Sequence, residues 1–185
     1  MAEMTKTMKL HIHPDEAGIS LLKELTAKYS NACNYVSEYV FDHGFILNFM
    51  KLQKDLYQGI RRECGLKSQF TISSLKTVTA RYKAIRTQFA KKPYRYQDEN
   101  GDWQFIPRTL KWLTKPVSFR RPQADLVRGR DYSFVNGTSG EKLLSLNTLG
   151  GRIKVTFDIP DCFDPFLSFS LVLSSFSRPF MLKIA

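Results

Sequence analysis

The chain has 185 residues, with 28 Lys and Arg against 17 Asp and Glu and a formal net charge of +11 at pH 7. Its 43% hydrophobic and 24% charged residues belong to a globular chain long enough to bury a core, which excludes wholesale disorder. No apolar run approaches the ~18 residues of a membrane span, so no membrane partner is expected and a polyanion is the default one.

MAEMTKTMKL lacks the apolar stretch of a signal peptide, and a cytoplasmic setting is expected. Cys33, Cys64 and Cys162 are odd in number and far apart, which argues against a disulfide framework or a self-contained cysteine zinc site. Residues 5–13 alternate Met8, Leu10 and Ile12 with polar neighbours and predict a strand. His13-Pro14-Asp15-Glu16 ends it and opens a long helix whose stripe is Ile19, Leu22, Leu25, Tyr29, Ala32/Cys33, Val36 and Tyr39/Val40, stopped by Gly44. A second helix is predicted over 45–64, with Gly65 closing it. Ser68 is expected to cap a third, with Ile72, Leu75, Val78, Tyr82, Ile85 and Phe89 inward. At 100° per residue, Lys76 and Lys83 then face outward together. DENGDW, between Pro93 and Pro107, predicts a hairpin or loop. After Pro116 the period falls to two: PVSF, DYSFV, KLLSLN and GRIKVTF read as short strands separated by Pro122, Gly129, NGTSGE and Gly150-Gly151. Residues 161–185 hold five Phe and five Ser with no net charge. They are expected to be dispensable for folding and harmful to solubility, the alternative being a last strand of the β-unit.

The sequence contains no GxxxxGK[ST], no GxSxG and no GxGxxG after a strand. His11 and His13 share one strand face and could supply two metal ligands. With no third evident nearby, they are expected to be solvated or RNA-facing. No acidic set has the setting of a metal-dependent nuclease, and Asp125 and Asp131 are expected to hold Arg128 and Arg130 in place. No catalytic residue, cofactor or metal is assigned. Seven basic residues and no acid lie between Lys76 and Tyr96, and seven more accompany the single Asp125 between Arg108 and Arg130. Tyr82, Phe89, Tyr94, Tyr96, Trp112, Phe119 and Tyr132 are interleaved with them. One such cluster is usually a solvated face. Two clusters with aromatic rings among them point to nucleic acid, because cations neutralise phosphates and rings stack on unpaired bases.

LLKELTAKYSNACNYVSEYVF, then LQKDLYQGIRRECGLKSQFTISSLKTVTARYKAIR, then RDYSFVNGTSGEKLLSLNTLGGRIKVTF occur in an order that resembles the N-terminal lobe of TnpB. TnpB is the transposon-encoded RNA-guided endonuclease, and the small type V CRISPR effectors are its relatives. The resemblance covers about residues 5–160. It implies an α+β fold, an antiparallel wedge-type β-barrel interrupted by an inserted three-helix recognition bundle. Residues 1–14 would be the first barrel strand, 15–107 the recognition domain, 108–160 the remainder of the barrel, and 161–185 a tail unlike the family. The family's RuvC carboxylates and paired CxxC zinc ligands would follow the GRIKV strand, and the sequence has neither.

The expectation is therefore a non-catalytic lobe that holds a structured guide RNA and helps recognise a short motif in double-stranded target DNA, in a prokaryotic cytoplasm and on the nucleoid when DNA-bound. RNA phosphates are assigned to Arg120, Arg121, Arg128, Arg130, Arg152 and Lys154, and DNA contacts to Ser73, Lys76 and Lys83. The alternatives are a structural or regulatory subunit docked on a full-length nuclease, self-association, since members of the family can work as dimers, or a truncated mobile-element remnant.

Overall fold

The structure, a computed structural model, describes residues 10–158 and 181–184. It is α+β. In chain order it contains β1 (His11–His13), α1 (Glu16–Asp42), α2 (Phe49–Cys64), α3 (Ser68–Lys91), β2 (Tyr94–Gln97), β3 (Trp103–Ile106), a 3₁₀ turn (Leu110–Trp112), β4 (Ala124–Val127), β5 (Tyr132–Asn136), β6 (Lys142–Thr148), β7 (Gly151–Asp158) and β8 (Met181–Ile184). No described helix is long and apolar enough to cross a membrane. The chain divides into two compact units, Met1–Lys23 with Leu126–Leu182 and Glu24–Asp125 with Lys183–Ala185. The division falls within α1, between Lys23 and Glu24.

The first unit is built on an antiparallel sheet in the order β1-β7-β6-β5. Its register places Ile12 opposite Phe157, Val155 opposite Leu144, and Ile153 opposite Leu146, which in turn faces Tyr132. Because side chains alternate across a strand, these residues share one face, and Tyr132, Leu144, Leu146 and Val155 are buried there. The first turns of α1 approach that face closely: a Cβ on Gly18 would lie 3.7 Å from the Ile153 side chain, and one on Gly150 3.1 Å from Leu21. The opposite face is polar, with His11, His13, Arg152, Lys154, Thr156 and Asp158 exposed. Among the described residues this sheet has four strands and does not close into a barrel.

In the second unit, α1 contributes Leu25, Tyr29, Cys33, Val36 and Val40 to the core, α2 contributes Leu52, Leu56 and Ile60, and α3 contributes Phe70, Leu75, Val78 and Tyr82. The predicted second helix starts late, at Phe49 rather than 45. Gly44 (φ 70°) and Phe45 (φ 61°) are both left-handed, which breaks the helical path, and Asn48 caps the new start by accepting from the Lys51 N–H at 3.1 Å. Gly65 ends α2 with φ 64° and donates its N–H to the Arg61 carbonyl. Ser68 does not cap α3. Lys67 occupies that position with no side-chain cap, while Ser68 accepts from the Tyr57 hydroxyl at 2.9 Å.

PVSF is not a strand. Its backbone bonds to helix side chains instead of a neighbouring strand, and the short strand in this region is β4. Residues 161–180 of the Phe/Ser-rich tail lie outside the described residues. Beyond them β8 pairs with β4.

Candidate nucleic-acid interface

The segment Val117–Asp125 is laid across α1 and α3 by side chains that stand in for a strand partner. Asn34 accepts from the Phe119 N–H at 2.8 Å and returns its amide to the Phe119 carbonyl at 3.2 Å, a carbonyl that Ser30 also reaches at 2.6 Å. Ser37 donates to the Val117 carbonyl at 2.7 Å, and the Val117 N–H donates to the Tyr82 hydroxyl at 3.2 Å. Further along, the Tyr29 hydroxyl shares hydrogen bonds with Ser73 (2.9 Å) and Thr77 (3.0 Å) and donates to the Gln123 carbonyl, while Ser73 accepts from the Asp125 N–H at 2.9 Å. These partly buried bonds replace those of a neighbouring strand and fix the segment in place. Burial raises the Tyr29 phenol and pushes the Cys33 thiol up to about 12, so both stay neutral in this network.

Fixing this strap aims its charged residues. Phe119 turns inward and is buried, while Arg120 and Arg121 are exposed. Together with Arg81 and Thr77 of α3 they line an open groove of about 280 Å³, completed by Val117, Ser118 and Pro122. Three arginines and no acidic residue line it, an arrangement suited to a phosphate-bearing chain. Arg81 was one basic residue among seven in the sequence. Its place beside Arg120 and Arg121 depends on the strap, which no local spacing reveals.

The other assigned residues fare differently. Lys76 and Lys83 are exposed on α3, facing outward as expected. Ser73 is not: it is buried, and both its bonds are internal. The inward face of α3 is wider than its apolar stripe because Thr71, Ser73, Ser74 and Thr79 are buried in it too, so Ser73 offers nothing to DNA. In the sheet unit, Arg152 spans the polar face and donates to the Arg130 carbonyl at 2.6 Å and toward the Ser145 and Ser133 hydroxyls at 3.3 and 3.4 Å. Arg130 lies 3.6 Å from the buried carboxylate of Asp131, which also accepts from the Val127 N–H at 2.9 Å. Asp131 thus orders this loop, whereas the Asp125 N–H is bonded to Ser73 in the other unit. Arg128 is half-buried and Lys154 exposed.

The β2–β3 hairpin is exposed along its whole length. Asp98 folds its turn, held below the usual carboxylate range by hydrogen bonds from the Gln104 side chain and from backbone N–H groups. Register places Arg95 opposite Phe105 and Gln97 opposite Trp103 on one face, with Tyr94 opposite Ile106 on the other. Arg95 sits 4.9 Å from the Trp103 ring centre and 5.4 Å from that of Phe105, yet those rings remain 54% and 55% exposed. Tyr94, half exposed, lies 6.0 Å from Trp112, and Arg108 covers Phe89 at 4.4 Å. Sequence reading placed a hairpin here but not Trp103 or Phe105 among its aromatic residues. No protein-family model matches the chain, and no curated protein matches it.

Proposed function

We propose that this protein is the RNA-holding lobe of an RNA-guided DNA nuclease system, related to the wedge and recognition domains of TnpB and the type V effectors, and that the chain itself does not cut. In this reading the sheet belongs to a wedge-type barrel and the helices to the recognition part. One observation carries the reading: the groove is lined by Arg81, Arg120 and Arg121 and by no acidic residue, on a chain of net charge +11. Guanidinium groups in such a groove grip a folded RNA by its phosphates, and base pairing then does the sequence reading. The exposed rings of the hairpin suit unpaired bases at the edge of that RNA. Lys76 and Lys83, on the outer face of α3, suit the backbone of captured duplex DNA.

The test is recovery of the protein from its native host, followed by sequencing of the RNA that accompanies it. A discrete RNA lost from the Arg81→Ala/Arg120→Ala/Arg121→Ala variant supports the reading, and no enriched RNA overturns it. Lys76→Ala/Lys83→Ala should leave RNA affinity nearly intact and weaken duplex capture by the loaded complex. A second reading, docking on a full-length nuclease, is favoured by the hairpin rings alone. It predicts a nuclease recovered without RNA, and loss of that nuclease from a Trp103→Ala/Phe105→Ala variant.

A further inference from the structure

We propose that His11, His13 and Asp158 form a binding site for one Zn²⁺ ion, which ties the edge strand β1 to β7. The two histidines are two residues apart on a strand and so project from the same face. The antiparallel register sets His11 directly opposite Asp158 and His13 opposite Thr156, which puts the carboxylate on that face too. One nitrogen from each imidazole and one oxygen of Asp158 all lie within 4.8 Å of one another. His13 Nε2 is already 2.7 Å from Asp158 Oδ2, and the two rings are 5.2 Å apart.

Zinc–ligand bonds of ~2.0–2.2 Å set tetrahedral ligand atoms about 3.4 Å apart. The distances present therefore need only side-chain rotation. The backbone is held by the β1–β7 ladder and by Ile12 and Phe157, which face each other on the opposite side of the sheet and lock the register. Two imidazoles and one carboxylate suit a borderline divalent transition metal, and they suit Mg²⁺ or Ca²⁺, which prefer all-oxygen shells, poorly. All three residues are exposed, so water completes the coordination.

The consequence is structural. β1 is a three-residue edge strand, and His13 and Asp158 are 145 residues apart in the chain. A metal bridging them closes a long loop, the kind of link that stabilises most, and binding energy realised only in the folded state adds to folding. The site uses none of the groove arginines, although Arg152 and Lys154 share its face.

The experiment uses the full chain stripped with chelator. Zn²⁺ and Mg²⁺ are titrated calorimetrically, thermal midpoints are followed against Zn²⁺, and Co²⁺ replaces Zn²⁺ for visible spectra. Saturable uptake of one Zn²⁺ per chain, a midpoint that climbs with Zn²⁺ but not Mg²⁺, and a low-coordinate Co²⁺ spectrum without a thiolate band are expected. His11→Ala or His13→Ala should weaken binding by more than about tenfold, an effect at least as large as that of losing a supporting residue. His11→Gln and Asp158→Asn keep size and hydrogen bonding, and should fold normally while losing the response. Unsaturable binding, binding unchanged in the His11→Ala/His13→Ala protein, or a thiolate band from cysteine ligation would overturn the site.

Discussion

At the scale of single residues, the helical unit is organised by neutral polar groups buried beside apolar ones. Ser73 is the clearest case: its hydroxyl links Tyr29 to the Asp125 N–H, so its removal strands a backbone donor in the core. Ser73→Ala should cost about 1–3 kcal/mol in urea unfolding, with no separate effect on DNA binding. A variant of unchanged stability with weakened DNA capture would return the residue to the surface role its position in the sequence suggested. Cys33 and Tyr29 give a second residue-scale prediction. Both titrate higher in the folded chain than their ordinary values of 9.0 and 10.0, so above those values the unfolded chain has released protons that the folded one retains. Fewer protons bound in the unfolded state means that stability falls as pH rises. Cys33 should make it decline from about pH 9, at up to ~1.4 kcal/mol per pH unit, and Tyr29 should steepen the decline from about pH 10. Denaturant midpoints between pH 8 and 11 check this. Cys33→Ala should remove the first part of the decline, and a flat profile in the unmodified protein would contradict the burial of both groups.

At the scale of elements, the β2–β3 hairpin stands out because both its strands are exposed throughout. Its aromatic residues are exposed on both faces, and the strand pairing, the Asp98 turn, the Arg95 contacts and the Tyr94–Trp112 contact organise them. If Trp103 and Phe105 stack on unpaired bases, each contributes about 1–3 kcal/mol. Trp103→Ala/Phe105→Ala should then weaken binding to RNA with single-stranded loops far more than to a blunt RNA duplex, as measured by fluorescence anisotropy. Equal losses on both ligands would remove stacking from the account. Much of the element layout was legible in the sequence, because long helices and alternating strands write their burial into period. The α1 stripe, Gly44, Gly65, the hairpin and the strands of β5, β6 and β7 all followed from spacing and turn chemistry. What local pattern could not show depended on partners distant in the chain. PVSF alternates like a strand, yet it bonds to Asn34 and Ser37. Ser73 sits outside an apolar stripe, yet it is buried because small hydroxyls widened that face. Asp158 completes the histidine pair only through a register set across the whole chain. The groove of Arg81, Arg120 and Arg121 was hidden for the same reason.

At the scale of the molecule, the charge of +11 says that polyanions are attracted but not how many phosphates are held. The structure shows which cations are engaged within the fold. Arg130 and Arg152 spend donors on the sheet unit, and Arg128 is half-buried there. In the helical unit Arg81, Arg120 and Arg121 line the groove and are exposed. If about six phosphates of a folded RNA are neutralised, release of their condensed counterions should make log K fall against log salt with a slope of magnitude about 4–5, between the single-strand and duplex limits. The contributions then separate by their salt response. Arg81→Ala/Arg120→Ala/Arg121→Ala removes three phosphate contacts and should reduce the slope by about 2–3. Trp103→Ala/Phe105→Ala removes stacking, which releases no counterions, and should lower affinity while leaving the slope as it was. Filter binding from low to moderate salt on the three proteins measures all of this. A slope near zero, or one that the arginine variant leaves unchanged, would mean that the groove does not hold phosphates and that the basic charge acts only at long range.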